Sequence, residues 1–151
     1  MTICGRDDLL ALDSTVTRIT VSNNCGNEES LDVLDFSRFT YLRELIVGDE
    51  SYENVNQMSL VGLDYLRKVE IGDSSFTKKK NSFGYDPNRH FYLKNCNNVK
   101  ELRIGQYSFS DYSSVEMHGL PSLETMTVGD LSQSSYNMLY ASLELKSDDR
   151  E

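Results

Sequence analysis

The chain has 151 residues, 38% hydrophobic and 26% charged, enough apolar material for one folded core and unlike a disordered polymer. Its formal net charge is −9, a field that repels phosphate backbones, so nucleic acid is not expected as a partner. The longest apolar stretches are only a few residues, such as Leu9 to Leu12, so no membrane span is expected.

No signal-peptide pattern and no Asn-X-Ser/Thr sequon is visible. Cys4, Cys25 and Cys96 are odd in number and widely spaced, which argues against a disulfide framework and fits a reducing compartment. An intracellular protein is expected on these grounds.

Residues 1–15 read as an N-terminal cap, in which Asp7-Asp-Leu-Leu-Ala-Leu-Asp13 folds over the first coil. From Val16 the chain repeats itself. The motif is an apolar residue, two variable positions, an apolar residue, a variable one, an apolar residue, then Gly. It starts weakly as Val16-Thr-Arg-Ile19-Thr-Val21-Ser22, with Ser in place of Gly. It continues as Leu42-Arg-Glu-Leu45-Ile-Val47-Gly48 and Leu66-Arg-Lys-Val69-Glu-Ile71-Gly72. Val99-Lys-Glu-Leu102-Arg-Ile104-Gly105 and Leu123-Glu-Thr-Met126-Thr-Val128-Gly129 complete the series.

A second apolar set precedes each later copy at constant distance: Leu34, Phe36 and Phe39; Met58, Leu60 and Leu63; Phe91, Leu93 and Cys96; Val115, Met117 and Leu120. An aromatic follows ten residues after three of the starts, at Tyr52, Phe76 and Phe109, with Tyr136 in that part in the last copy, three places late. Apolar residues at the fourth and sixth places share one face of a strand. One coil alone cannot bury that face; stacked coils place equivalent residues above one another about 4.8 Å apart. The spacing therefore predicts two short strands per coil, one on each side, joined by turns. The glycines are expected to mark the turns by supplying positive φ.

The step from Leu66 to Val99 is 33 residues, nine longer than its 24-residue neighbours, and the excess falls in Thr77 to Arg89. In solenoids such insertions leave the coil as loops, often on the binding face. The last apolar set, Met138, Leu139, Leu143 and Leu145, runs into a charged tail, 146–151, without a recognisable cap. A monomer or a weak homodimer through this C-terminal coil is expected.

The motif Leu66-Arg-Lys-Val69-Glu-Ile71 resembles the strand signature of the leucine-rich-repeat superfamily. Ile71-Gly-Asp-Ser-Ser-Phe76 and Cys96-Asn-Asn-Val99-Lys-Glu-Leu102-Arg-Ile104 look like the treponemal (BspA-like) variety, also common in protists. The resemblance runs from Val16 to Leu145. It implies a mostly β, right-handed leucine-rich-repeat solenoid of about five coils, with short parallel strands, little helix and a role in macromolecular recognition. Gly stands where the family usually has Asn after the strand, so an asparagine ladder is not expected.

Third and fifth places of each motif should face outward, giving rows Arg18, Glu44, Lys68, Glu101, Thr125 and Thr20, Ile46, Glu70, Arg103, Thr127. Opposite charges on neighbouring coils read either as a register-fixing ladder or as a partner-binding face with Ile46, Lys68, Glu70 and Arg103 as contacts. Arg43, Arg67 and Lys100 in the second-place row form a candidate stripe for an anionic partner, or ordinary solvated cations. The insertion offers Lys78, Lys79, Lys80 and Arg89 with Phe83 and Tyr85, a candidate recognition loop for a protein partner.

His90 and His118 have no sequence neighbour at metal-ligand spacing, and no phosphate loop, nucleophile elbow or His-Glu-X-X-His run occurs. Cys96 takes a place held elsewhere by Phe39, Leu63 and Leu120, so it reads as core. The Gly-Asp pairs at Gly48-Asp49, Gly72-Asp73 and Gly129-Asp130 read as turn residues and not as calcium ligands, because each coil supplies one carboxylate. A non-catalytic module for protein–protein interaction, without cofactor or metal, is the leading expectation. A self-assembling structural array and an enzyme with an unrecognised site are the alternatives.

Overall fold

The computed structural model describes residues 1–80, 82–129, 135–138 and 141–146. Asn81, Asp130, Leu139 and residues 147–151 of the charged tail, named above, lie outside them. The described elements run in order β1 (Thr2–Ile3), helix α1 (Arg6–Ala11), β2 (Arg18–Val21), β3 (Val33–Asp35), β4 (Glu44–Val47) and β5 (Gln57–Val61). Then follow β6 (Lys68–Ile71), β7 (Asp86–Lys94), β8 (Glu101–Ile104), β9 (Tyr112–His118), β10 (Thr125–Val128) and β11 (Ser142–Lys146).

These strands build a parallel β-solenoid of about five turns. One sheet has the order β1-β2-β4-β6-β8-β10, the other β11-β9-β7-β5-β3, and every pairing is parallel. Each coil gives one strand to each sheet, so the two apolar motifs of the sequence face one another across a single core. In the first sheet Ile19, Leu45, Val69, Leu102 and Met126 are direct partners, as are Val21, Val47, Ile71, Ile104 and Val128. In the second, Leu34, Met58, Phe91, Val115 and Leu143 form one column. All of these are buried except at the last coil, where Met126 and Val128 are only partly covered and Leu143 is 53% exposed. Cys96 lies fully buried among them, and burial pushes its thiol pKa up.

The glycine expectation needs correcting. Gly48, Gly72 and Gly105 do not carry positive φ; of the four motif glycines only Gly129 does, at +72°. Their constraint is close approach. A Cβ on Gly48 would lie 2.7 Å from the Asn23 nitrogen, one on Gly72 2.7 Å from the Gly48 carbonyl carbon, and one on Gly105 2.5 Å from that of Gly72. The glycines stack directly on the backbone of the coil below.

Positive φ falls instead on two later rows of the same corner. Asn24, Glu50, Ser74, Tyr107 and Tyr136 make one; Gly26, Tyr52, Phe76, Phe109 and Met138 make the other. The final aromatic is thereby reassigned. Tyr136 continues the row of Tyr107, whose N–H donates to the Ser135 carbonyl as Ser74 donates to Gln106 one corner earlier, and Met138 takes the place of Phe109.

Between those rows runs a ladder that the sequence reading missed. Ser51, Ser75 and Ser108 are fully buried. Each hydroxyl accepts an N–H from the coil below (Cys25 3.2 Å, Ser51 3.2 Å, Ser75 3.0 Å) and donates to a carbonyl of that coil (Ser22 3.0 Å, Gly48 2.7 Å, Gly72 2.5 Å). Asn137 holds the final position, donating from Nδ2 to the Gly105 and Ser108 carbonyls at 2.7 and 3.0 Å. Serine thus does what an asparagine ladder would do. The Gly-Asp pairs act alongside it: Asn23 Oδ1 accepts from Asp49 N, Asp49 Oδ1 from Asp73 N, and Asp73 Oδ1 from Gln106 N, at 2.7–2.8 Å.

At the N-terminal end β1 pairs with β2, and α1 buries Leu9 against the first coil. Arg38 fastens the helix by donating to the Leu9 and Leu12 carbonyls at 2.7 and 3.0 Å. Cys4 and Cys25 form a disulfide, contrary to the sequence expectation. The odd count left Cys96 as the unpaired thiol, and stacking brought two cysteines 21 residues apart together. The cysteine argument for a reducing compartment falls with it. The closed loop of that length corresponds to about 3 kcal/mol of chain-entropy stabilisation. Reduction, or paired Cys4→Ser and Cys25→Ser, should lower the urea unfolding free energy by about that amount; an unchanged midpoint would contradict the tie.

Candidate functional site

The outer face of the first sheet carries the expected rows. Arg18 and Glu44 pair across coils at 3.3 Å, whereas Lys68 bonds Glu70 on its own strand at 3.3 Å. The ladder is therefore only partly a coil-to-coil one. Ile46 is half-buried between Thr20 and Glu70, and Arg103 is exposed next to Glu70. A shallow groove of about 640 Å³ crosses the exit end of this face, lined by Glu70, Asp73, Arg103, Gln106 and Thr127 among others.

At the other end of each strand, where the chain turns into the sheet, Arg43, Arg67 and Lys100 stand one above another. Their N–H groups donate to the Thr17, Arg43 and Arg67 carbonyls at 2.7–2.8 Å, which fixes the column. All three are exposed and form no side-chain hydrogen bond or ion pair among the described residues. Two positions earlier in the first two turns, Tyr41 and Tyr65 are 51% and 48% exposed, with their rings stacked at 5.8 Å. Sequence reading passed over these tyrosines because they fall outside both apolar motifs; their equal offset from Leu42 and Leu66 was the available signal.

The insertion is less of a free loop than its composition suggested. Thr77 is buried, its hydroxyl 2.7 Å from that of Ser110. Lys80 pairs with Glu53 at 3.2 Å and Glu50 at 3.8 Å. Backbone N–H groups of Gly84 and Asp86 donate to the Ser110 and Asp111 carbonyls. Lys79 and Tyr85 are exposed, and Phe83 is 41% exposed with its ring 5.2 Å from that of Tyr136.

Arg89, expected among the loop cations, is fully buried. It ion-pairs with Asp111 at 2.7 Å, donates to the Glu53 and Val55 carbonyls, and lies 5.1 Å from the Tyr112 ring centre. Its role is to bolt the end of the insertion into the core. The candidates thus divide: the column stands before each strand of the first sheet, while the insertion packs beyond the corner that follows it. A four-residue strand of about 13 Å separates the two ends.

On the outer face of the second sheet, His90 Nδ1 lies 2.6 Å from Ser114 Oγ. Stacking also brings Glu116, His118 and Glu144 together, with ligand atoms within 4.8 Å, a grouping invisible in the sequence spacing of His118. Their carboxylates are engaged by Lys94 at 3.6 Å and Lys146 at 2.6 Å, so the arrangement reads as an ion-pair network. Near the last coil a cleft of about 570 Å³ opens between the sheets, lined by Met117, Leu120, Leu123, Met126 and Leu145 among others.

The architecture defines the chain as a parallel β-solenoid presenting one face with a cationic edge. No protein-family model, no curated protein and no solved structure matches it.

Because Arg89 and Asp111 are buried together, removing one leaves a buried charge. Arg89→Met should cost about 3–5 kcal/mol, and adding Asp111→Leu should recover most of it. Chemical denaturation of the single and double variants measures both; a single variant as stable as the parent would refute the bolt.

Proposed function

We propose that this chain is a non-catalytic leucine-rich-repeat module, wound right-handed, that binds a protein partner through the first sheet's outer face and the 77–89 insertion. The repeat motif supports the family reading, with Val16 to Leu145 following one strand signature in register. The observation that carries the binding reading is the contrast on the surface. Arg18, Lys68, Lys80 and Lys94 form ion pairs with carboxylates, whereas Arg43, Arg67, Lys100 and Arg103 stand exposed and form none among the described residues. Exposed Tyr and Arg together are the usual makings of an interface centre.

A second reading, self-association, is favoured by the last coil. Leu143 and Leu145 are 53% and 58% exposed and the inter-sheet cleft lies open beside them. Such uncovered apolar surface is a common mark of association.

One experiment separates the two. The chain is immobilised and captured partners are compared for the parent, Arg103→Glu, Tyr85→Ser and Leu143→Asp, with light scattering on each. The interaction module predicts capture reduced about tenfold by Arg103→Glu or Tyr85→Ser and unaffected by Leu143→Asp. If only Leu143→Asp changes anything, and what it changes is the oligomer mass, the chain is a self-assembling array.

A further inference from the structure

Three stacked cations are an odd thing for this molecule to keep. Its sequence holds 24 acidic residues against 15 basic ones, so a carboxylate could have stood beside each. Like charges in directly opposed strand positions repel, and coil stacking sets their backbones only about 4.8 Å apart. The column ends at Glu124, whose N–H donates to the Lys100 carbonyl at 2.9 Å, so the cationic run is bounded and short. Beside it lies the one exposed tyrosine stack of these turns, with Tyr41 and Tyr65 separated from Arg43 and Arg67 by a single inward-facing leucine each.

We propose that Tyr41, Arg43, Tyr65, Arg67 and Lys100 form a docking strip for an extended acidic segment of a protein partner, an inference that rests on the interaction-module reading. The chemistry favours a peptide over other anions. Arginine forks bind carboxylates through paired N–H groups, and the tyrosine rings supply an apolar flank that takes an aliphatic or aromatic side chain. From Arg43 to Lys100 the column spans about 10 Å of backbone stacking. Alternate side chains of an extended peptide recur every ~7 Å, so carboxylates two residues apart reach neighbouring cations. The strip therefore selects a pattern of alternating acidic and apolar residues. A long, uniformly charged polyanion meets the repulsion of the remaining surface, whose formal net charge is −9.

The test uses the whole 151-residue chain and three fluorescent probes at near-physiological salt: a peptide of alternating glutamate and leucine, a heparin oligosaccharide and a thymidine oligonucleotide. The peptide should bind most tightly, with affinity falling as salt rises. Arg67→Glu should weaken it about tenfold or more, and Tyr65→Ser about threefold, with melting temperature and far-ultraviolet spectrum unchanged, since both side chains are exposed. Val33→Ser, at an exposed position of β3 in the second sheet, should have no effect. No peptide binding, tighter binding of either polyanion, or peptide binding indifferent to Arg67→Glu overturns the strip. Peptide binding lost only with Arg103→Glu or Tyr85→Ser would also overturn it while leaving the interaction-module reading intact.

Discussion

Everything in this molecule depends on parallel coils lying in register at strand spacing. That closeness lets Leu45, Val69 and Leu102 bury one another completely, and it also sets the demands on the corners. A corner buried under the next coil has no water to satisfy its amides and carbonyls, and an unpaired buried group costs about 1–3 kcal/mol. Serine hydroxyls and aspartate carboxylates answer that demand coil by coil, and glycine keeps the stacking distance short enough for them to reach.

The same corners hold side-chain-bearing residues in the left-handed region, at about 1–2 kcal/mol each. At Tyr52, Phe76 and Phe109 the conformation turns the rings inward, where they stack at 5.2 and 4.9 Å and are almost wholly buried. Burial of one such ring contributes about 1.5–3 kcal/mol, which offsets the backbone cost. Gly26 fits the start of that column because the Tyr52 ring occupies the space its side chain would need.

Much of this was legible in the sequence because side-chain periodicity is a direct record of burial. Two apolar motifs at constant spacing gave two strands per coil, the parallel register and the core place of Cys96. What periodicity does not record is pairing between polar groups. Ser51 and Ser75 look like ordinary turn residues, and Arg89 sits in a basic run that reads as solvated until Asp111, from the next coil, is folded against it. Cys4 and Cys25 failed for the opposite reason: a count of cysteines says nothing about which two the fold brings together. Glycine was seen but given the wrong cause, since turn and close contact leave the same letter. Of the candidate surface, the cation column was readable from the second-place row, whereas Tyr41 and Tyr65 gain meaning only once their turns are stacked.

The uneven covering of the core makes the solenoid directional. Its first coil is bound by β1, α1, Arg38 and a covalent tie, while Leu123, Met126 and Val128 around β10 are only partly buried. A nearest-neighbour stack of this kind loses one contact surface at a time. Among the described turns the structure behaves as a zipper pinned at its first tooth.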